Sequence, residues 1–377
     1  MTSIDELIER AATGSKPATA SLLERQAETL EAIVRKIAGT SANRAKRYVD
    51  LIAYLHDPQL SEVLLALTTD SNFFLRYAAY KALGNYRETQ VTKALLSKLT
   101  NDRIALGEKT TILRTLARVR DPQSTEPITR FIDTLFAGRP IEADAMVEHC
   151  LEEGSFDAVE ALLEAILVMN VLGDRRFNEL VPALLGYGID DSRQPEYQLV
   201  RERSAWVTRE IIFSHYVPEI EAALLRPAFV GQEYLLGALE YAGSREASRA
   251  LLALYGRAGD TVAKQAIRQT LRNIVGPALG ADDTSMEREV IDRIFDDAGD
   301  PDACLHNGRP MTPESYTDDN RPAAHPLHLR ITYGLVVPPH IGLVPKAARA
   351  FVGNWIAEHG ARFAPGKLYQ HGYEVEL

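Results

Sequence analysis

The sequence predicts an all-α chain: a right-handed α-solenoid of about seven helical hairpins, followed by a small mixed α/β segment at the C-terminus. Three observations carry this. Apolar residues recur at helical spacing in paired runs, the runs break at Gly and Asp-Pro signals about every 30 residues, and the rhythm stops after Ala298.

Residues 1–43 read as capping helices, Ile4 to Arg10 and Ser21 to Ala38, which an open array needs to cover the apolar face of its terminal unit. The hairpins occupy 44–298. The clearest runs from Asp70 to Leu99: Leu75, Ala78, Ala79, Ala82 and Leu83 recur at i, i+3, i+4, i+7 and i+8, and after a short break Val91, Ala94, Leu95 and Leu99 follow. Asp70 or Ser71 is placed to cap the first helix, and Gly84 to end it in the left-handed conformation. The same pattern recurs from Arg44 to Leu67, broken at His56-Asp57-Pro58, and from Lys109 to Leu135, broken at Arg120-Asp121-Pro122. It continues from Phe156 to Leu185, Tyr197 to Leu225, Val230 to Tyr255 and Val262 to Phe295. Ile141 to Glu153 reads as an extra helix between the third and fourth hairpins.

Residues 299–377 differ. Pro, Gly, His and Asp dominate from Gly299 to Pro326, which reads as an irregular connection. Leu327, Leu329, Ile331 and Tyr333 alternate with His328, Arg330 and Thr332, a half-buried strand signal. Pro345 opens a helix with the apolar face Ala348, Phe351, Val352, Trp355 and Ile356, and Lys367 to Val375 reads as a last strand. Two arrangements stay open, a small β-α-β appendage and a set of extended pieces lying along the last hairpins.

The unit from Asp70 to Leu99, with its acidic residue, Arg76 six positions on, the Ala-rich run ending in Leu83-Gly84 and a Leu-rich second helix, resembles a short HEAT-like repeat of the phycobilin-lyase type. Arg114 to Leu135 and Ala238 to Tyr255 share part of the pattern, and the rest of 44–298 shares its periodicity. The resemblance implies a fold. The family holds scaffolds, transport adaptors, lyase subunits, DNA-repair glycosylases and inhibitors, so fold alone does not select an activity.

Composition narrows the classes. At 46% hydrophobic and 25% charged residues, the chain can bury enough apolar surface to offset its conformational entropy. Asp and Glu number 52 against 42 Lys and Arg, and the resulting net charge of −10 opposes attraction to phosphate backbones, so a nucleic-acid partner is not expected. Cys150 and Cys304 stand far apart and imply no disulfide framework. Met1 to Glu9 lacks the pattern of a secretory signal, and the apolar run Ala161 to Leu172, interrupted by Glu164, is shorter than the ~20 residues a bilayer requires. No membrane association and a cytoplasmic location are expected.

Six histidines follow residue 300. Cys304, His306, His325 and His328 are chemically suited to zinc, but their spacing matches no established pattern, and solvated loop histidines are the preferred reading. Asp296, Asp297, Asp300 and Asp302 lack the EF-hand order of ligands, and Glu148-His149 lacks the repeated His-Glu pairs of di-iron HEAT hydroxylases. No catalytic residue, metal or cofactor is expected. Arg201, Arg203, Trp206 and Arg209 form the most suggestive cluster, because Arg and Trp concentrate in binding hot spots; the structural alternative puts Trp206 in the core and pairs the arginines with Glu202 and Glu210. Arg114, Arg118 and Arg120 read as charge on one face. For Phe73, Tyr77 and Tyr80 two readings stand, partial exposure beside Arg76 and packing between repeats, of which packing is the preferred one.

The functional expectation is a non-enzymatic scaffold or adaptor that holds a protein partner on a concave surface lined by second helices, with an immunity or inhibitor protein as a special form. An enzyme or subunit of the tetrapyrrole lyase type would instead need a deep apolar cleft with convergent polar groups, and a helical-repeat nucleic-acid binder a continuous basic groove. The sequence leaves the oligomeric state open.

Overall fold

The computed structural model describes residues 2–38, 40–55, 58–136, 141–142, 145, 156–185, 194–211, 216–226, 231–259, 261–279, 287–300, 302–316, 325–343 and 345–375. The extra helix expected over Ile141 to Glu153, with Cys150 and Glu148-His149, lies largely outside them. The chain divides into two compact units: Met1–Gly138 with Val337–Gly353, and Arg139–Val336 with Asn354–Leu377.

In the first unit, α1 (Ile4–Ala12), α2 (Lys16–Glu24) and α3 (Gln26–Ala38) all pack against α4 (Ala42–Leu55). The cap expected as one helix from Ser21 to Ala38 is therefore split at Arg25, which leaves helical geometry and ends α2. Three helix pairs follow: α4 with α5 (Pro58–Leu67), α6 (Phe73–Leu83) with α7 (Thr89–Leu99), and α8 (Leu106–Val119) with α9 (Thr125–Leu135). The first helices α4, α6 and α8 stack on one another, and α5 contacts α7, so the pairs form two layers with the apolar stripes between them.

The caps correct the sequence reading in detail. Asn72 rather than Asp70 or Ser71 accepts the Leu75 amide at 3.2 Å, while Asp70 accepts the Asn72 amide at 2.7 Å. Gly84 stays right-handed, at φ −60°; a Cβ there would lie 2.9 Å from Arg118 Cδ, so the glycine leaves room for the Arg118 side chain. Phe73 and Tyr77 do not pack between repeats: they are 50% and 37% exposed, and only Tyr80 is buried.

Glu9 on α1 ties the N-terminal helices together. It accepts hydrogen bonds from Lys36 (2.9 Å), Arg44 (2.9 Å) and Tyr48 (2.8 Å). The Lys36 ammonium, then Arg44 and Tyr48, hold its carboxyl well below the ordinary 4.5, at about 2. Since the folded value is the lower one, the stabilisation is complete above about 4.5 and is lost as pH falls toward about 2. The melting temperatures of wild type and Glu9→Gln are expected to converge across that window, in a calorimetric series by pH; a gap that stays constant would remove Glu9 from the account.

In the second unit, α10 (Asp157–Val171), α12 (Gln194–Ile211), α14 (Gln232–Ala242) and α16 (Thr261–Val275) stack in order. Their partners α11 (Leu180–Leu185), α13 (Val217–Leu224), α15 (Arg245–Arg257) and α17 (Arg288–Asp297) form the second layer. The remainder of this unit is stitched across the C-terminal ends of the first helices. Hairpin β1 (Leu305–His306) with β2 (Arg309–Pro310) turns at Asn307-Gly308, both at positive φ as a two-residue Asn-Gly turn requires. Its amides satisfy carbonyls at the end of α16, with Asn307 N to Asn273 O at 2.7 Å and Gly308 N to Ile274 O at 2.8 Å, and the Leu305 amide bonds Gly243 O, after α14, at 2.8 Å. Hairpin β3 (Tyr369–Gln370) with β4 (Tyr373–Glu374) reaches α10: Arg175 donates to Glu374 O at 3.1 Å, and Gln370 Nε2 to the buried Asn170 at 2.8 Å.

The strand expected from Leu327 to Tyr333 is a helix, α18 (His325–Tyr333). The alternation misled because Thr332, on the expected solvent side, is fully buried and Arg330 reaches a buried carboxylate, so burial does not follow a period of two. Pro326 fits the first turn, where its missing amide costs nothing. The last strand, expected over Lys367 to Val375, is two two-residue strands around His371-Gly372, whose amides bond Ile331 O and Thr332 O. In the first unit α19 (Pro339–Gly342) packs on α4; α20 (Pro345–His359), which begins in the first unit and ends in the second, forms where Pro345 predicts a helix start.

Candidate functional site

Helix α12 carries all the residues of the suggestive cluster. It buries Val200, Ser204, Val207, Thr208 and Ile211, a stripe at i, i+4, i+7, i+8 and i+11. Ser204 and Thr208 can occupy this stripe because their hydroxyls donate back to Val200 O and Ser204 O, each at 2.8 Å.

Arg203, Trp206 and Arg209, three residues apart, follow one side of α12. Arg203 Nη2 bonds Glu160 Oε1 at 3.0 Å and Glu164 Oε1 at 2.9 Å, both on the preceding first helix α10. The guanidinium lies 4.9 Å from the centre of the half-buried Trp206 ring. Arg209 bonds Glu210 at 3.1 Å and covers Tyr234 of α14 at 4.8 Å; a Cβ on Gly237 would meet Arg209 Cδ at 3.2 Å, so the arginine lies close along α14. Glu210, only 2% exposed, also accepts Arg330 of α18 at 2.7 Å. Hence Arg203 and Arg209 do pair with carboxylates, though Arg203 chooses Glu160 and Glu164 rather than Glu202, and Trp206 is not fully in the core.

Arg201 is placed differently. Two residues from Arg203, it lies on the far side of α12, because successive residues turn by about 100° at 3.6 residues per turn. Burial, and then the positive charge of Arg226, push its guanidinium below the ordinary value. The structure therefore places Arg203, Trp206 and Arg209 in one row and turns Arg201 away from Arg203 and Trp206.

A related device occurs in the first unit. Arg76 of α6 donates from Nε and Nη2 to Glu108 Oε2 of α8 at 3.2 and 3.1 Å, and covers Phe73 at 5.7 Å. Its Nη1 donates to Asp70 O at 2.8 Å, and Tyr80 donates to Glu108 Oε1 at 2.7 Å. An arginine held by a carboxylate of the adjacent first helix is thus a structural tie that also fixes a cation over an aromatic ring.

Glu160 and Glu164 were not identified from the sequence as site residues. The available signal was Glu164 itself: a lone carboxylate inside the run Ala161 to Leu172 must find a cation once that run is buried. Cys304 is fully buried, which pushes its thiol up to about 12, and His306 is buried nearby in sequence; the side chains of His325 and His328 lie outside the described residues. Among the described residues, no group of His, Cys, Asp and Glu is arranged to hold a metal ion, and no helix is long and apolar enough to cross a membrane.

No family model matches the chain, and neither does any curated protein. Among solved structures, it is similar to the complex of CpcE and CpcF of phycocyanin lyase from Nostoc sp. PCC7120, at 12% identity over 73% of this chain and 95% of that one, with a TM-score of 0.38. It is similar to human deoxyhypusine hydroxylase in complex with glycerol, at 15% identity, 66% and 96% coverage and a TM-score of 0.29. An engineered protein aligns at 17% identity, 93% and 98% coverage and a TM-score of 0.33. All of these are distant, and no activity passes from them to this chain.

Proposed function

We propose that this helical protein is a non-enzymatic interaction protein that holds a protein partner on the second unit, through the Arg203, Trp206 and Arg209 row of α12. The observation that carries the reading is the Arg203–Trp206 pair. Glu160 and Glu164 fix the guanidinium against the indole before any partner arrives, so little side-chain freedom remains to be lost on binding. Held Arg and Trp side chains are the groups most enriched in binding hot spots. Leu199, on the same helix and 63% exposed, adds apolar surface.

Trp206→Ala is expected to weaken the partner complex by about 2 kcal/mol, roughly thirtyfold in Kd. The test is affinity capture from the native lysate, followed by titration of the captured protein against wild type, Trp206→Ala and Leu199→Glu, with thermal melting to show that each variant is folded. Unchanged affinity in both folded variants would reject this surface.

A further inference from the structure

We infer that the second unit also carries a peptide-anchoring cleft, which accepts an acidic segment of a partner protein with one apolar side chain seated inside. The inference rests on the protein-binding reading above and specifies the chemistry of the partner. The cleft lies where the ends of α13 and α15 meet the beginnings of α14 and α16, and its volume is about 280 Å³. Leu224, Leu236, Leu254 and Ile267 form its apolar walls, and Arg226 and Arg257 stand among the lining residues.

The size selects the class of occupant. Pockets that enclose a whole small molecule hold ~300–1,000 Å³, so this one suits a large side chain or two rather than a complete ligand. The surroundings extend the apolar surface beyond it: Leu225 lines the cleft and is 39% exposed, and Val262, next to the lining Ala263, is 75% exposed.

The charge selects the sequence around that side chain. Arg226 makes one long bond, 3.5 Å to Leu185 O, and no carboxylate stands against it among the described residues. Its charge acts on Arg201 of α12, which likewise has no carboxylate partner among them. Arg257 meets Glu221 only at 3.9 Å, and is 61% exposed. A partner carboxylate at the mouth of the cleft gains charge-assisted hydrogen bonds from Arg226 and Arg257, both of which line it. Although the chain is acidic overall, this corner is locally cationic, and local charge governs docking.

The probe is a displayed library of random short peptides, selected on the full-length chain. Enriched sequences are expected to place Asp or Glu beside Leu, Ile, Phe or Met. Their binding is expected to weaken with salt and to fall about tenfold or more, some 1.4 kcal/mol, in both Arg226→Glu and Ala266→Trp, the second of which fills the cleft from an exposed wall position. Thermal melting checks that both variants are folded. Enrichment without acidic residues, or equal binding to both folded variants, overturns the inference. Stoichiometric binding of octanoate that displaces no peptide also overturns it, in favour of a small-molecule anion site. If the cleft variants bind peptides normally while Trp206→Ala loses the captured partner, the cleft fails and the α12 surface stands.

Discussion

Gly276→Ala is expected to destabilise the second unit by about 3 kcal/mol or more, in urea unfolding of the full chain. Gly276 ends α16 at φ +75°, a conformation an L-residue with a side chain adopts at a cost of about 1–2 kcal/mol. An added Cβ would also lie 2.6 Å from Asn307 O and 2.7 Å from Asn307 C. Those atoms are backbone, so no rotamer change relieves the clash and the β1–β2 hairpin has to move away. Its retreat breaks the bonds from Asn307 and Gly308 to the last carbonyls of α16, each with a net contribution of about 1 kcal/mol. Faster amide exchange at 304–308 should accompany the loss. Gly256→Ala is the control: this glycine is in α15 with nothing within 4 Å of the added Cβ, and the change is expected to be neutral or stabilising.

Glu210→Ala is expected to cost roughly 3–5 kcal/mol, the range for removing one partner of a buried ion pair. Glu210 is 2% exposed and serves two cations from different parts of the chain, Arg209 beside it and Arg330 on α18. Without it, Arg209 remains against Tyr234 with its counter-ion gone, and the side-chain tie from α12 to α18 is lost. Arg330→Ala alone should cost about 1 kcal/mol or less, since Arg330 is itself 41% exposed and Arg209 still pairs with the Glu210 it leaves behind. A double-mutant cycle in urea separates the pair; equal costs for the two single variants would mean that Glu210 is not the hub described here.

The helices were legible because each is written twice, as an apolar stripe and as a break, and both are local signals. The stripe of α6 and the Asp-Pro break before α9 needed no distant information. The C-terminal segment was not legible to the same degree, because its conformation is decided by what it lies against. Leu327 to Tyr333 alternates like a strand, yet Thr332 is fully buried and the distant turn His371-Gly372 bonds the carbonyls of Ile331 and Thr332, contacts that no local pattern encodes. The Asn307-Gly308 turn was a readable signal, submerged in a stretch rich in other turn residues. For the candidate site, the residue types were visible and their pairing was not: Arg203 joins Glu160 and Glu164 some forty positions away, a choice set by the stacking of α12 on α10. The same holds for Arg201, which a linear reading groups with Arg203 and a helix of 3.6 residues per turn places on the other side.

The most direct test of the interaction surface is a photo-crosslinking amino acid at Leu199 of α12, compared with the same group at Phe74 of α6, which is 57% exposed in the first unit. With the captured partner present, the account predicts an adduct from Leu199, abolished by Trp206→Ala, and none from Phe74. Adducts from Phe74 alone, with Leu199 silent while the complex is intact, would contradict it.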